Sequence, residues 1–192
     1  MNKLNLIARS ALLACCSMLA LAGMASARAA AIDAKASSMS LLFKQMNVPV
    51  EGKLKQLKAD IRFDATHLDA ASAKIDIDID VASIDIGSAE YNKTVAGADW
   101  FNAAAYPLAS FVSTQIKPAG SGYNVAGTLN IKGKSAAVVI PVRYRKEGSA
   151  QVFDGSLPIK RLQYGIGAGE WADTSLVADE VQIKFHLVVP AQ

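Results

Sequence analysis

Apolar and polar residues alternate along most of the chain from Ser38 onward. Met39, Leu41 and Phe43 are interleaved with Ser38, Ser40 and Leu42. Leu57, Ala59, Ile61 and Phe63 are interleaved with Gln56, Lys58, Asp60 and Arg62, and Ile75, Ile77, Ile79 and Val81 with Lys74, Asp76, Asp78 and Asp80. The same parity returns in Tyr123, Val125, Gly127, Leu129 and Ile131, in Val138, Ile140, Val142 and Tyr144, in Phe153, Gly155, Leu157 and Ile159, and in Val181, Ile183, Phe185 and Leu187. Successive side chains of a strand point to opposite faces, so each run predicts a strand with one dry face. Turn-forming residues fall between the runs, at 64–72, 118–122, 132–134, 146–148 and 165–169. Connections this short favour antiparallel hairpins, because parallel neighbours need crossovers of about a dozen residues or more. One helix of one or two turns is expected around residues 91–101, where Ala-rich sequence precedes Pro107.

About eight strands with a consistently apolar face and no long covering helix must bury that face on itself. A sandwich or a closed barrel does this, and the barrel also removes exposed edges. No repeat or linker divides the chain, which predicts one domain. The row Asp76, Asp78 and Asp80 then belongs to the wet side of its strand. A calcium or magnesium cage needs oxygens converging from several directions, which a straight ladder does not supply. Lys58 and Arg62 on the preceding strand are expected as cross-strand partners, each pair contributing about tenths of a kcal/mol.

The first 31 residues read differently. Lys3 and Arg9 precede an apolar run, SALLACCSMLALA at 10–22, too short to span a bilayer stably, and small residues follow at Ala25, Ser26 and Ala27. This predicts a secretory signal peptide over residues 1–31, cleaved between 27 and 31, and a product located in the periplasm or secreted. Both cysteines, Cys15 and Cys16, lie in the apolar run, so the mature chain of about 160 residues is held by its core without disulfides. A lipoprotein site at Cys15 is disfavoured because Arg9 leaves too few apolar residues before it. Three of the 20 basic residues and none of the 17 acidic ones fall in the leader. The mature charge is therefore near zero, and no basic run is left to suggest nucleic acid or an anionic membrane surface.

Catalytic signatures are sparse. His67 sits in a polar turn and His186 on the wet parity of the last strand. The chain has no HExxH, no GxSxG and no cysteine nucleophile in its mature part. Gly165, Gly167 and Gly169 resemble a dinucleotide loop but lack a βαβ context, which leaves a strand connection. What remains is an interior lined by Met39, Leu41, Phe43, Phe63, Ile77, Ile79, Phe111, Leu129, Phe153 and Phe185. Periodicity alone leaves open whether that interior is a packed core or a cavity, since both need dry walls.

Five segments, in order, resemble the YceI-like family of exported lipocalin-like barrels. They are Ser37-Ser38-Met39 with Lys44 to Val48 and Gly52-Lys53-Leu54; Val81-Ala82-Ser83-Ile84-Asp85-Ile86-Gly87; Ala98-Asp99-Trp100-Phe101; Tyr106-Pro107 with Phe111 and Ser113; and the alternation from Tyr123 to Gly133. The likeness runs from about Ile32 to Leu187. It implies an antiparallel barrel, export, a long apolar cavity that in some relatives holds a polyisoprenoid or another long-chain amphiphile, and no catalytic residues. Ala36 and Gln45 stand where the family often has His, and Gln163-Tyr164-Gly165-Ile166 replaces D-F-G-I, so the head-group class differs from those relatives if these positions hold it.

The resulting expectation is an all-β fold over residues 32–192, a single antiparallel, about eight-stranded lipocalin-like barrel with one short helix. It is expected to be a non-enzymatic periplasmic protein that sequesters a polyisoprenoid or other long-chain amphiphile, with no cofactor, metal, nucleic-acid partner or stable membrane insertion. Met39, Leu41, Phe43, Met46, Trp100, Phe101 and Phe111 are the candidate lipid-binding residues. The alternative is a structural or stress-response barrel with a filled core that acts through partner binding at its surface.

Overall fold

The alternating runs become strands of one antiparallel sheet in the structure, a computed structural model that describes residues 29–69 and 73–191. In chain order the strands are β1 (Ala30–Ala31), β2 (Ser38–Gln45), β3 (Val48–Leu54), β4 (Leu57–Phe63), β5 (Ala73–Asp80), β6 (Ile84–Asp85), β7 (Leu108–Ala119), β8 (Gly122–Ile131), β9 (Lys134–Glu147), β10 (Ala150–Lys160) and β11 (Glu180–Val189). Helix α1 (Ala89–Ala96) follows β6. It begins two residues before the expected segment and ends sooner, because Gly97 leaves helical geometry and its N–H closes the last turn on the Thr94 carbonyl.

The strands are ordered β1-β4-β5-β7-β8-β9-β10-β11-β2-β3-β6. Chain continuity from β3 to β4 through Lys55 and Gln56, and from β5 to β6 through the 3-10 turn Val81–Ser83, brings the two ends of that order together. Counted as bent units, β3-β4 and β5-β6 join six long strands to make eight staves; the eleven strands exceed the expected count of about eight because two staves are each bent into two strands and the short β1 is added. The two bends face each other and are bonded: Gln56 N–H donates to Ser83 Oγ (2.9 Å), Asp80 N–H to the Gln56 carbonyl (3.1 Å), and Asp80 Oδ1 accepts from Ala82 N–H (2.9 Å).

The N-terminal segment bridges the gap left where β4 diverges from β11. Ala30 pairs with Ile61 and Ala31 with Asp60, while Asp33 N–H reaches the Val188 carbonyl (2.7 Å) and Val188 N–H returns to Ser37 Oγ (2.9 Å). β1 thus uses two residues of the predicted cleavage window. The rest of the predicted leader, residues 1–28, lies outside the described residues.

Besides the two-residue β1 and β6, too short to show a period, two longer strands went unread in the alternation, each for a physical reason. β3 carries Pro49 and Gly52 and exposes Val48, Pro49, Glu51 and Lys53, so its apolar signal is thin. β7 alternates Ala109, Phe111 and Ser113 inward and then shifts parity at a bulge between Ser113 and Gln115, after which Ile116 faces inward. The β5–β7 ladder also ends there, and buried Ser113 compensates by accepting the Ile75 N–H (2.8 Å) on its Oγ.

The aspartate row stands on the outer face. Lys58 lies opposite Asp78, but Arg62 lies opposite Lys74 and Asp60 opposite Asp76. The register therefore corrects the expected pairing: among the described residues the row's ion pair is Lys74 with Asp76 (2.9 Å), two positions along one strand. The inner face is dry, with Ile61, Val125, Phe153 and Leu187 at 1–2% exposure. Burying each such side chain contributes about 1.5–3 kcal/mol.

Candidate functional site

The inward-facing side chains do not fill the barrel evenly. At one end Phe63, Tyr123, Tyr144 and Phe153 form a four-ring cluster with centroids 4.9–6.0 Å apart, edge-on or tilted, which closes that end. Burial pushes the Tyr144 hydroxyl pKa up. At the other end lies a cavity of about 80 Å³ with a hydrocarbon surface. Its wall includes Leu41, Phe43, Ile79, Trp100, Phe101 and Ile166. A second void of about 20 Å³ lies between Ile75, Ile77, Phe111, Val125, Phe153 and Phe185.

Register explains why the interior has two voids. Ile79 pairs with Ala109 in the wall of the first, and Ile77 pairs with Phe111 in the wall of the second. The Phe111 ring lies over Gly127, where an added Cβ would come within 2.5 Å of two ring carbons. Ala109 leaves room, and Phe111 two residues on takes it away.

The cavity is roofed by the connection between β10 and β11, residues 161–179, together with the segment after α1. Arg161, 1% exposed, holds this roof. Its Nε–H donates to the Ala178 carbonyl (3.1 Å), Nη1 to Ile166 (2.8 Å) and Gly167 (3.3 Å), and Nη2 to Trp171 (2.7 Å) and Val177 (2.7 Å). All five N–H donors are taken by backbone carbonyls, so the guanidinium presents charge to the cavity without a free donor. Burial lowers its pKa, partly offset by Asp179. The guanidinium carbon lies 5.9 Å from the Trp100 ring centroid, and Trp100 packs on Trp171 at 5.5 Å. Lys132 Nζ fastens the two roof segments by donating to the carbonyls of Ala98 (2.9 Å) and Gly165 (2.8 Å). The connection read as a simple loop is therefore a pinned cap. A buried arginine donating to carbonyls from 166 to 178 has no sequence periodicity to reveal it.

The expected contact residues separate into groups. Leu41, Phe43, Trp100 and Phe101 share the wall of the large cavity, and Phe111 lines the small one. Met39 is buried in the core, outside both walls. Met46 does not face inward: it is 64% exposed at the β2–β3 tip, where it adopts φ +48°, and its N–H donates to the Leu176 carbonyl (2.8 Å). Position 46 has the outer parity of Ser38, Ser40 and Leu42, so the alternation and the turn agree in keeping it out of the interior. No cluster of His, Cys, Asp or Glu suited to a metal occurs among the described residues.

Fold and interior together place the molecule among the lipocalin-like antiparallel barrels. The YceI-like domain model matches residues 31–189, and the chain belongs to that family. Among solved structures, BcnA of Burkholderia cenocepacia is 53% identical, with a TM-score of 0.79 over 82% of this chain and 99% of that one. A polyisoprenoid binding domain from Saccharophagus degradans, implicated in plant cell wall breakdown, superposes with a TM-score of 0.66 over 87% of this chain and 99% of its own. At 19% identity that likeness shows the fold alone. A UPF0312 protein of Azotobacter vinelandii is 30% identical over 122 residues, 60% of this chain and 62% of that protein, less than two thirds of its length.

Proposed function

We propose that this protein is a non-enzymatic, exported lipid-binding barrel that shields a polyisoprenoid or other long-chain amphiphile from water. The observation that carries the reading is the cavity under the Arg161 cap, whose wall offers hydrocarbon and no free hydrogen-bond donor from the arginine. The family and the polyisoprenoid binding described for the S. degradans domain support it. Export to the periplasm is supported by the basic start and short apolar run of the first 31 residues.

Each buried CH₂ contributes about 0.8 kcal/mol, so a chain of ten or more carbons gives micromolar or tighter binding after association costs. The cavity of about 80 Å³ is smaller than such a chain. Uptake therefore requires the interior to open further, and movement of Phe111, which lines the small void, is the route by which the two voids would join. The small void volumes and the four-ring plug favour a second reading, a filled barrel that acts through its outer surface.

The test is native mass spectrometry of the periplasmic protein purified without detergent, followed by the same measurement after unfolding. A co-purifying mass that is lost on unfolding, and is absent from folded Phe43→Asp protein, is expected. A bare polypeptide mass that persists after incubation with isoprenoid and fatty-acyl extracts overturns the lipid reading in favour of the filled barrel.

A further inference from the structure

The wall of the barrel is not continuous between β9 and β10. Their ladder runs from Ala150 opposite Glu147 to Gly155 opposite Val142 and stops. Beyond that point β9 stays paired only to β8 and β10 only to β11. Pro141 and Pro158 sit on the diverging stretches, and neither has an N–H to donate across the gap. At the base of the divergence lies an external depression of about 510 Å³. Outward-facing Asn124, Arg143 and Ser156 line it together with Tyr123, Val142 and Phe185 of the inner parity. Residues of both faces line one depression because the wall is breached there.

Phe185 closes the breach. It lines both the external depression and the enclosed small void. Its ring lies against Gly155, where an added Cβ would overlap the ring and come 3.0 Å from the Pro141 carbonyl oxygen. The aromatic ring thus occupies the space that a side chain at 155 would take. The Phe185 ring and the Val142 side chain stand between the depression and the small void.

The rim carries unbalanced positive charge. Arg143 on β9 and Lys184 on β11 are exposed, and neither has an ion-pair partner among the described residues. The one acid of the rim, Asp154, is already engaged by Arg145 and by His186 Nδ1 (2.7 Å). Burial pushes its carboxyl pKa up, and the bonds from His186 and Arg145 outweigh this and hold it below the ordinary range. Two free cations beside a ring-closed path into a dry interior suit a ligand with an anionic head and an apolar chain.

We propose that the breach at Gly155 is a side portal for an anionic amphiphile, with Arg143 and Lys184 holding its carboxylate or phosphate head and the Phe185 ring swinging aside to admit its chain. This rests on the lipid-binding reading and adds the head-group class and the route. The chain would pass Phe185 into the small void and then displace Phe111 to reach the larger cavity.

Stopped-flow fluorescence with dansyl-undecanoic acid and its uncharged methyl ester tests the portal on the full mature chain. Folding of each variant is checked by circular dichroism. The Arg143→Gln/Lys184→Gln double variant is expected to weaken binding of the acid by about tenfold and leave the ester unchanged. Phe185→Ala is expected to speed entry and exit of both probes, and Phe185→Leu serves as a second, gentler opening should the alanine variant not fold. Uptake with rates unchanged in the Phe185 variants, or equal losses for acid and ester in the double variant, overturns the portal while leaving lipid binding in place. Failure of the unmodified protein to take up either probe overturns both readings. Inorganic phosphate competing as well as undecanoic acid would make the rim a simple anion site and likewise overturn the portal.

Discussion

Arg161 ties the cap over the cavity together from a single residue. Its five N–H groups satisfy carbonyls of Ile166, Gly167, Trp171, Val177 and Ala178 that the irregular backbone of the cap leaves without strand partners. Arg161→Met keeps the apolar stem and strands those carbonyls, so it is expected to cost about 3 kcal/mol or more in urea denaturation. Arg161→Lys is expected to recover little, because a single ammonium cannot serve five carbonyls spread around a planar fork. A lysine variant as stable as the parent would show that the charge, not the geometry, holds the cap.

Strand β7 shows how an element is tuned by one extra residue. The bulge at 113–115 rotates the second half of the strand so that Ile116 replaces the expected parity inside, and it frees the Ile75 N–H that Ser113 Oγ then accepts. Ser113→Ala leaves that donor buried and unpaired. The expected cost is about 1–2 kcal/mol, with faster hydrogen exchange at the Ile75 amide. Unchanged exchange at that amide would mean that another acceptor replaces the hydroxyl. The β9–β10 pair has its own tuning residues, since Gly155, Pro141 and Pro158 mark where the two strands part.

For the whole molecule, the acids set the response to pH. Thr66, through its hydroxyl and amide, and His67 lower Asp64 to about 2 from 3.8. Lys55 at 2.6 Å, then Asn92 and Gly87, hold Asp85 well below the carboxylate range, and Ser175 lowers Asp173. Each depressed carboxylate contributes stability that is fully present above its unfolded pKa near 3.8 and is lost as pH falls through its folded value. The urea midpoint is therefore expected to be flat from pH 7 to about 5 and to fall below about 4. Asp64→Asn and Asp85→Asn proteins should show a shallower acid limb. An acid limb as steep in both variants as in the parent would assign the loss to other groups.

Much of this was legible along the chain because a strand's two-residue period records directly which face is dry. That period places Leu41, Phe43 and Ile79 inside and the row Asp76, Asp78 and Asp80 outside, and the short turns between runs dictate antiparallel pairing. The chain by itself therefore determined an all-β antiparallel fold with one hydrocarbon face, and its family resemblance pointed to a barrel of about eight strands. Tertiary structure decided the rest, because it depends on contacts between residues far apart in the chain. Register set Ala109 beside one void and Phe111 beside another, and it put Arg62 opposite Lys74 rather than an aspartate. The long connection folded back so that Arg161 could collect carbonyls up to Ala178, and the parting of β9 from β10 left Phe185 over a glycine between the outer depression and the small void. Periodicity reports on neighbours two residues apart, whereas a cavity, a cap and a portal are made by neighbours across the sheet.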